Sequence, residues 1–320
     1  MKAIMYREYG APDVLKLEEV KKPVPKDNEV LVKVHAASAN ALDWHIMRAE
    51  PFLARLENGF LKPKNTKLGA DVAGRVEAVG RNVTQLQAGV DVFGFIPINQ
   101  LGSFAEYVCM SEELLALKPA NLTFEQAAAV PVGAITALQG LRDKGEIQPG
   151  QKVLINGASG AVGTFAVQIA KSFETEVTGV CSTNKLDITR SIGADHVIDY
   201  TKEDFTRNGQ RYDLIFDVVG NRSIADYKRA LTLNGICVVA GFTSLTRLFQ
   251  YMLLGGKKVS LMPTAYPDKK DLLIIKELLE AGKITPVIDR CYSSLSEVPE
   301  AIRYLEEGHA RGKVVITIGT

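Results

Sequence analysis

Hydrophobic and polar positions change texture along the chain. In "KAIMY", "EVLVKVHAAS", "DVAGRVEAVG" and "AEYVCM" apolar residues alternate or run between Gly, Pro and Asn breaks, which predicts short strands. Strands punctuated this way suggest a compact β-rich module or barrel. "NLTFEQAAAVPVGAITALQGLRD" then turns helical, with Thr123 as N-cap and Gln126 three residues on forming a capping box. From residue 151 strands and helices alternate. Strands are predicted at "KVLIN", "EVTGVCS", "HVIDY", "YDLIFDVV" and "ICVVAG", and helices at "AVGTFAVQIAKSF", "KLDITRSIG" and "SIADYKRAL". Near-continuous apolar strands separated by helices imply a parallel sheet covered on both faces, and right-handed crossovers make it doubly wound. One longer helix follows, "KKDLLIIKELLEAG", closed by Gly282. The tail strands "PVIDRCYS" and "KVVITIG" are candidates to rejoin the first module.

The loop "GASGAVG" joins the first strand of the α/β region to its first helix. Gly160 stands where the chain must approach a pyrophosphate closely, and Gly163 where the helix packs against the strand. Ala158 takes the place of the first glycine of a dinucleotide fingerprint. Amides at a helix N-terminus bind anionic phosphate. Val162, Ala166, Ile169 and Phe173 recur at helical spacing and are predicted to face the sheet. The strand–loop–helix context and the strands that follow favour a dinucleotide site over a bare turn. A P-loop is ruled out, because Thr164 and not Lys follows Gly163.

The end of the second strand bears on which dinucleotide is bound. An NAD site places Asp or Glu on the ribose 2′-hydroxyl about 20 residues after the loop. Here Ser182, Thr183, Asn184 and Lys185 occupy that segment, and the next carboxylate is Asp187. These side chains can donate hydrogen bonds to a 2′-phosphate that a carboxylate would repel. NADP(H) is the expected cofactor.

Composition narrows the partners. The formal net charge is +1 over 320 residues, which supplies no field for nucleic acid or an acidic membrane surface. No apolar run approaches the ~18 residues of a membrane span, and no signal peptide is evident. Cys109, Cys181, Cys237 and Cys291 form no C-x-x-C pair and read as reduced thiols of a cytoplasmic protein.

With these residues in hand, the chain resembles the medium-chain dehydrogenase/reductase superfamily, and most closely its zinc-independent quinone oxidoreductase branch. The resemblance covers nearly the whole chain. It rests on the ordered set "KPVPKDNEVLVKVHAASANALDWH", "LGADVAGRVEAVGRNVTQ", "GSFAEYV", "AAAVPVGAITALQGL", "GASGAVG", "GADHVIDYTKEDF" and "HARGKVVITI". It implies a GroES-like β-rich domain formed by residues 1–122 and 266–320, and a Rossmann domain formed by residues 123–265. It implies a cofactor in the cleft between them, held by Thr136, Ser159, Gly160, Ala161, Val162, Gly163, Ser182, Asn184, Lys185 and Tyr200, with Val219, Gly241 and Phe242 near the nicotinamide. Tyr200 equally suits the end of a strand. A homodimer paired through sheet edges is implied, with "GICVVAG" and "KKVSLMP" as the edge strands.

Zinc members of the superfamily hold a catalytic metal through Cys, His and Cys. The matching positions here are Asn40, Ala70 and Val132, none of which replaces a thiolate or imidazole. The histidines, His35, His45, His196 and His309, show no ligand spacing, and no metal is expected. Without a Lewis acid the acceptor must be intrinsically electrophilic, a quinone or α,β-unsaturated carbonyl. Candidate residues near the nicotinamide are Asn40, whose amide would bond the acceptor oxygen, Asp43 and Lys313. Asp43 also suits the first turn of a short helix, and Lys313 a surface strand. Trp44 and Phe52 would shape the pocket, and "RAEPFLARLENGFLKPKN" would form a lid over a hydrophobic acceptor. An enone or enoyl reductase is the main alternative, followed by a non-enzymatic NADPH sensor on the same fold.

Overall fold

The computed structural model describes every residue except Pro51, Leu53, Pro263 and Thr320. The chain folds into two units. One comprises Met1–Val132, Pro267–Glu280 and Pro286–Thr320, and the other Gly133–Tyr266 with Ala281–Thr285. The first division thus falls ten residues beyond the 122/123 boundary read from the sequence. The reason is the Thr123-capped helix, which packs on the strands Glu29–Ala39 and Asp71–Val79 of the first unit.

The first unit is built on a seven-stranded sheet. Its long strand Glu29–Ala39 pairs antiparallel with Asp71–Val79 on one side. On the other side it pairs with Tyr107–Ser111 near its start and with the tail strand Lys313–Thr317 near its end. Two register shifts against Asp71–Val79 bend it, as bulges do, so one strand serves three partners. Val30, Val32, Val34, Val72, Phe93, Val314 and Ile316 fill the core and are essentially inaccessible. The parallel strand Ile288–Tyr292 flanks the tail strand.

The second unit carries a six-stranded, wholly parallel sheet. The strand order is His196–Asp199, Glu176–Cys181, Lys152–Asn156, Tyr212–Asp217, Leu231–Val239, Val259–Leu261. This is the doubly wound order, and the winding reverses between Lys152–Asn156 and Tyr212–Asp217. Val153, Leu154, Ile155, Leu214, Ile215 and Phe216 are all fully buried, as strands covered on both faces require. The helix Gly163–Ser172 is buried from Gly163 to Ala170, including Phe165 and Val167. Its contact is therefore wider than the stripe predicted, and Val162 and Phe173 are only half-buried.

Three expectations change. The stretch 121–143 that reads as helical is divided into Phe124–Ala128, Pro131–Leu138 and a π-helical turn Gln139–Lys144. Pro131 lacks the N–H that would continue the first segment, and it disfavours a helical conformation at Val130. A helix at Leu245–Leu254, capped by the Ser244 hydroxyl, was not predicted at all. Finally, "GICVVAG" is not an edge. Its strand, Leu231–Val239, is paired on both sides, and the edges are Val259–Leu261 and His196–Asp199.

Candidate functional site

In doubly wound sheets ligands bind beyond the carboxyl ends of the strands, where the winding reverses. The loop Gly157–Gly163 leaves the strand Lys152–Asn156 at that place. Its three glycines answer different demands. Gly157 has φ +85°, and a Cβ there would strike Val218 at 2.7 Å. A Cβ on Gly163 would lie 2.0 Å from the Gly157 carbonyl oxygen and 2.8 Å from the Ala158 Cα. The close packing at Gly163 is thus against the loop's own backbone, not the strand. Gly160 differs from both: the nearest atom to a Cβ there is the Gly157 carbonyl oxygen at 3.5 Å, an ordinary contact. Neither protein packing nor a left-handed φ demands glycine at 160. The space a Cβ would fill is left open, beside helix amides that have no intrahelical acceptor. This is a cradle that fits a pyrophosphate. Ala158 is fully buried and Ser159 nearly so, whereas Ala161 and Val162 are half-buried.

The other expected cofactor residues lie along the same unit. The helix Pro131–Leu138 bearing Thr136 abuts the loop, since a Cβ on Gly133 would lie 2.9 Å from the Ala161 carbonyl oxygen. Ser182 follows the second strand, and its hydroxyl donates to Asn184 Oδ1 at 2.8 Å. Lys185 is half-buried at the start of the next helix. Tyr200 follows the neighbouring strand, its amide bonded to the Cys181 carbonyl, and is 56% exposed. A carboxylate absent from the sequence reading, Asp199, lies beside this segment. Hydrogen bonds from Thr183 and Thr201 hold it ionised, with its pKa lowered to about 2. On the other side of the reversal, Val219 is half-buried, and the backbones at Gly220 and Gly241 touch so closely that a Cβ on Gly220 would fall 2.0 Å from the Gly241 carbonyl oxygen. Phe242 follows this contact and is half-buried.

Asn40, Asp43 and Lys313 meet in the first unit, but not as expected. Lys313 is wholly buried rather than on a surface strand. Its ammonium donates to Asn40 Oδ1 at 2.5 Å and to Asp71 Oδ2 at 2.7 Å. Asn40 Nδ2 donates to Asp71 Oδ2 at 3.0 Å and to the Ser38 carbonyl at 3.2 Å. The amide predicted to reach an acceptor is committed within the protein. Asp71 also accepts from the Ser38 hydroxyl and, through Oδ1, from the Val132 amide at 2.7 Å. Ser38 and Asp71 escaped the sequence reading because nothing local marks them; only pairing of their strands aligns them.

Asp43 sits in the first turn of the helix Ala41–Arg48, where its Oδ2 accepts the Asn40 amide at 2.8 Å. Its Oδ1 accepts the Gly69 amide at 2.9 Å. Complete burial pushes its carboxyl up to about 7, against the pull of these two amides. Trp44 stacks on the His45 ring at 3.6 Å. In the expected lid, Ala54–Asn58 forms a short helix, and Phe52, Leu56, Phe60 and Leu61 are exposed. Pro51 and Leu53 of that segment lie outside the described residues.

The positions that match the zinc ligands do not fit the metal. Asn40 is bonded to an ammonium, Ala70 has no donor side chain, and the hydrocarbon side chain of Val132 cannot ligate a metal, its backbone amide being bonded to Asp71. Among the described residues no three His, Cys, Asp or Glu side chains gather as a metal site would need. Among them, too, no helix is long and apolar enough to cross a membrane.

Comparison with known proteins places these features. Residues 26–120 match the alcohol dehydrogenase GroES-like domain family, and residues 192–316 the zinc-binding dehydrogenase family. A 2-methylene-furan-3-one reductase of Solanum lycopersicum is 37% identical over 99% of the chain and 79% of its own length. An NADPH-dependent alkenal/one oxidoreductase, chloroplastic, of Arabidopsis thaliana is 35% identical over the same shares. The solved quinone oxidoreductase of Coxiella burnetii superposes with a TM-score of 0.89 at 31% identity, covering 100% of this chain and 99% of that one. Sequence and structure together show that the chain belongs to the medium-chain dehydrogenase/reductase superfamily, in its quinone oxidoreductase-like branch.

Proposed function

We propose that the protein is a zinc-independent, NADPH-dependent reductase of quinones or of α,β-unsaturated carbonyls. That it is an oxidoreductase using a nicotinamide cofactor follows from its family. The acceptor class rests above all on one observation: the positions that match the zinc ligands carry Asn40, Ala70 and Val132, and the Asn40 amide is bonded to the buried Lys313 ammonium and Asp71 carboxylate. Such a donor set offers no Lewis acid for an unactivated alcohol or aldehyde. A conjugated acceptor needs none, because conjugation spreads the incoming charge. Relatives that include an alkenal/one oxidoreductase and quinone oxidoreductases support the same class.

When bound, NADPH supplies the hydride. The open space at Gly160 and the amides of Ala161 to Gly163 hold its pyrophosphate. Ser182, Asn184, Lys185 and Tyr200 take the 2′-phosphate, with Asn184 a weaker donor than a bidentate Arg would be. Thr136, Val219, Gly241 and Phe242 orient the nicotinamide half. Asn40, Asp43 and Lys313 are assigned a positioning role within the first unit, since their polar atoms are already partnered there. The proton that completes the reduction comes from water or a nearby side chain. A homodimer is proposed on family grounds, with Val259–Leu261 as its pairing edge. A cytoplasmic setting is proposed from the four free cysteines.

Steady-state NADPH oxidation against a panel of quinones, enals and enones tests the assignment. Turnover with identified products separates quinone from carbon–carbon double-bond reduction. Tight NADPH binding without turnover on any of them would replace the enzyme with a sensor. One zinc per chain in pure active protein, or loss of activity to a chelator, would overturn the zinc-independent assignment.

A further inference from the structure

Asp217 takes no part in the chemistry described so far, yet it is the most heavily bonded side chain at the winding reversal. It ends the strand Tyr212–Asp217 and is completely buried. Its Oδ1 accepts the amides of Val219 and Gly220, both at 2.7 Å. Its Oδ2 accepts Asn156 Nδ2 at 2.8 Å and the Tyr227 hydroxyl at 2.7 Å. A buried carboxylate is costly unless it is satisfied in this way, and four of the other five strands of the sheet end without one, at Asn156, Cys181, Val239 and Leu261.

The donors come from different places. Asn156 is the last residue of the adjacent strand and leads directly into Gly157 of the pyrophosphate cradle. Val219 and Gly220 belong to the loop on the other side of the reversal. That loop rests in turn on Gly241 and receives the Thr243 hydroxyl on the Gly220 carbonyl at 3.3 Å. Tyr227 comes from the helix Ile224–Ala230, and burial and the charge of Asp217 push its hydroxyl far above the ordinary range, so it stays a donor. One carboxylate therefore fixes the root of the cradle to the loop that carries Val219.

We infer that Asp217 is a positioning residue for the dinucleotide: it sets the spacing between the pyrophosphate loop and the nicotinamide-side loop, so that both halves of the cofactor bind together. This role rests on NADPH being the cofactor. The Asp217 carboxylate bonds Asn156, Val219, Gly220 and Tyr227, which flank the winding reversal and not the segment of Ser182 to Lys185, so a ligand confined to the adenosine side is indifferent to it. A ligand that spans both loops gains from their fixed spacing as linked binding elements do.

The test compares NADPH with 2′,5′-ADP, which carries only the adenosine half, by calorimetric titration of the full chain, with thermal melts alongside. In Asp217→Asn the new amide group must face donors at whichever oxygen it replaces. The expected result is NADPH affinity lower by about ten-fold or more, with 2′,5′-ADP affinity within about two-fold of wild type. Tyr227→Phe, which removes one donor, shows the same selective loss to a smaller degree. Wild-type affinity of Asp217→Asn for both ligands, or an equal loss of both, overturns the role. If Asp217→Asn does not fold, Tyr227→Phe decides: selective loss supports the role, and unchanged or equally reduced binding refutes it. Wild-type protein that binds neither ligand removes the NADPH assignment itself, and this role with it.

Discussion

Gly160 and Gly163 lie in one loop and make opposite predictions when each is replaced by alanine. At Gly163 the new methyl would sit 2.0 Å from a backbone oxygen and 2.8 Å from a backbone carbon, neither of which can swing aside. Overpacking of this kind costs about 1–3 kcal/mol. At roughly 2–4 °C per kcal/mol for a protein approaching this size, the Tm should fall by about 2–12 °C. At Gly160 the methyl meets nothing closer than 3.5 Å, so folding loses nothing. Reduced entropy of the unfolded chain would add about 0.4–1 kcal/mol where the backbone conformation suits alanine. The methyl does fill the phosphate cradle. Losing one hydrogen bond to a charged phosphate costs about 1.5–3 kcal/mol, which is about 10- to 150-fold in Kd. The assay is NADPH titration by fluorescence, with thermal melts of the same samples. Gly160→Ala should melt at or slightly above wild type and bind NADPH at least ten-fold more weakly, whereas Gly163→Ala should lose stability first. Wild-type NADPH affinity in Gly160→Ala would refute the reading of this loop as a cradle.

Further outcomes follow from the first unit and from the adenosine side. Lys313→Met leaves Asp71 buried without its cation and should cost about 3–5 kcal/mol in urea unfolding, part of it recovered by adding Asp71→Asn; a loss under about 1 kcal/mol would mean the ion pair carries little stability. Asp43 has a folded pKa of about 7, raised from 3.8 by burial, so the native state binds its proton more tightly than the unfolded chain. Its contribution is fully present below about 3.8 and is lost as pH rises to about 7. The stability difference between wild type and Asp43→Asn should accordingly shrink across that window and stay constant above it; a flat difference from pH 4 to 8 would contradict the assigned pKa. Lys185→Glu should lower the ratio of kcat/KM for NADPH over NADH by about ten-fold or more, because a carboxylate repels the 2′-phosphate. Equal efficiency of wild type with both cofactors would remove the NADPH preference.

The second unit was the more legible of the two. Runs such as "VLIN" and "LIFDVV" are apolar without alternation, and the structure buries them on both faces. Single residues produced the errors. Pro131 lies inside a helical pattern that its missing N–H interrupts. The helix Leu245–Leu254 carries Leu245, Leu248, Phe249 and Met252 at helical spacing, although Leu245, Phe249 and Met252 stay exposed; its pattern was legible and went unused. In the site, Gly160 and Gly163 were visible as a motif, but only geometry separates the glycine that packing demands from the one it does not. Asn40 and Lys313 stand out in the sequence, but their burial and their bonds to each other and to Asp71 do not, because the strands that bring them together lie far apart in the chain. Asp217 resembled any strand residue until its four donors were in view.

The tail strand Lys313–Thr317 has a consequence for biosynthesis. It lies between Ile288–Tyr292 and Glu29–Ala39, and its lysine bonds an asparagine 273 positions earlier in the chain. Domains generally fold as they leave the ribosome, the N-terminal one first, and distant pairings form slowly. Here the order is inverted. The second unit has all its strands once residue 261 has emerged, while the unit that begins the chain must wait for residues 313–317. Until then the strand Glu29–Ala39 presents an unpaired edge near Asn40, and Asp71 lacks its cation. A nascent chain stalled short of residue 313 should therefore hold a folded dinucleotide unit and an open, aggregation-prone first unit.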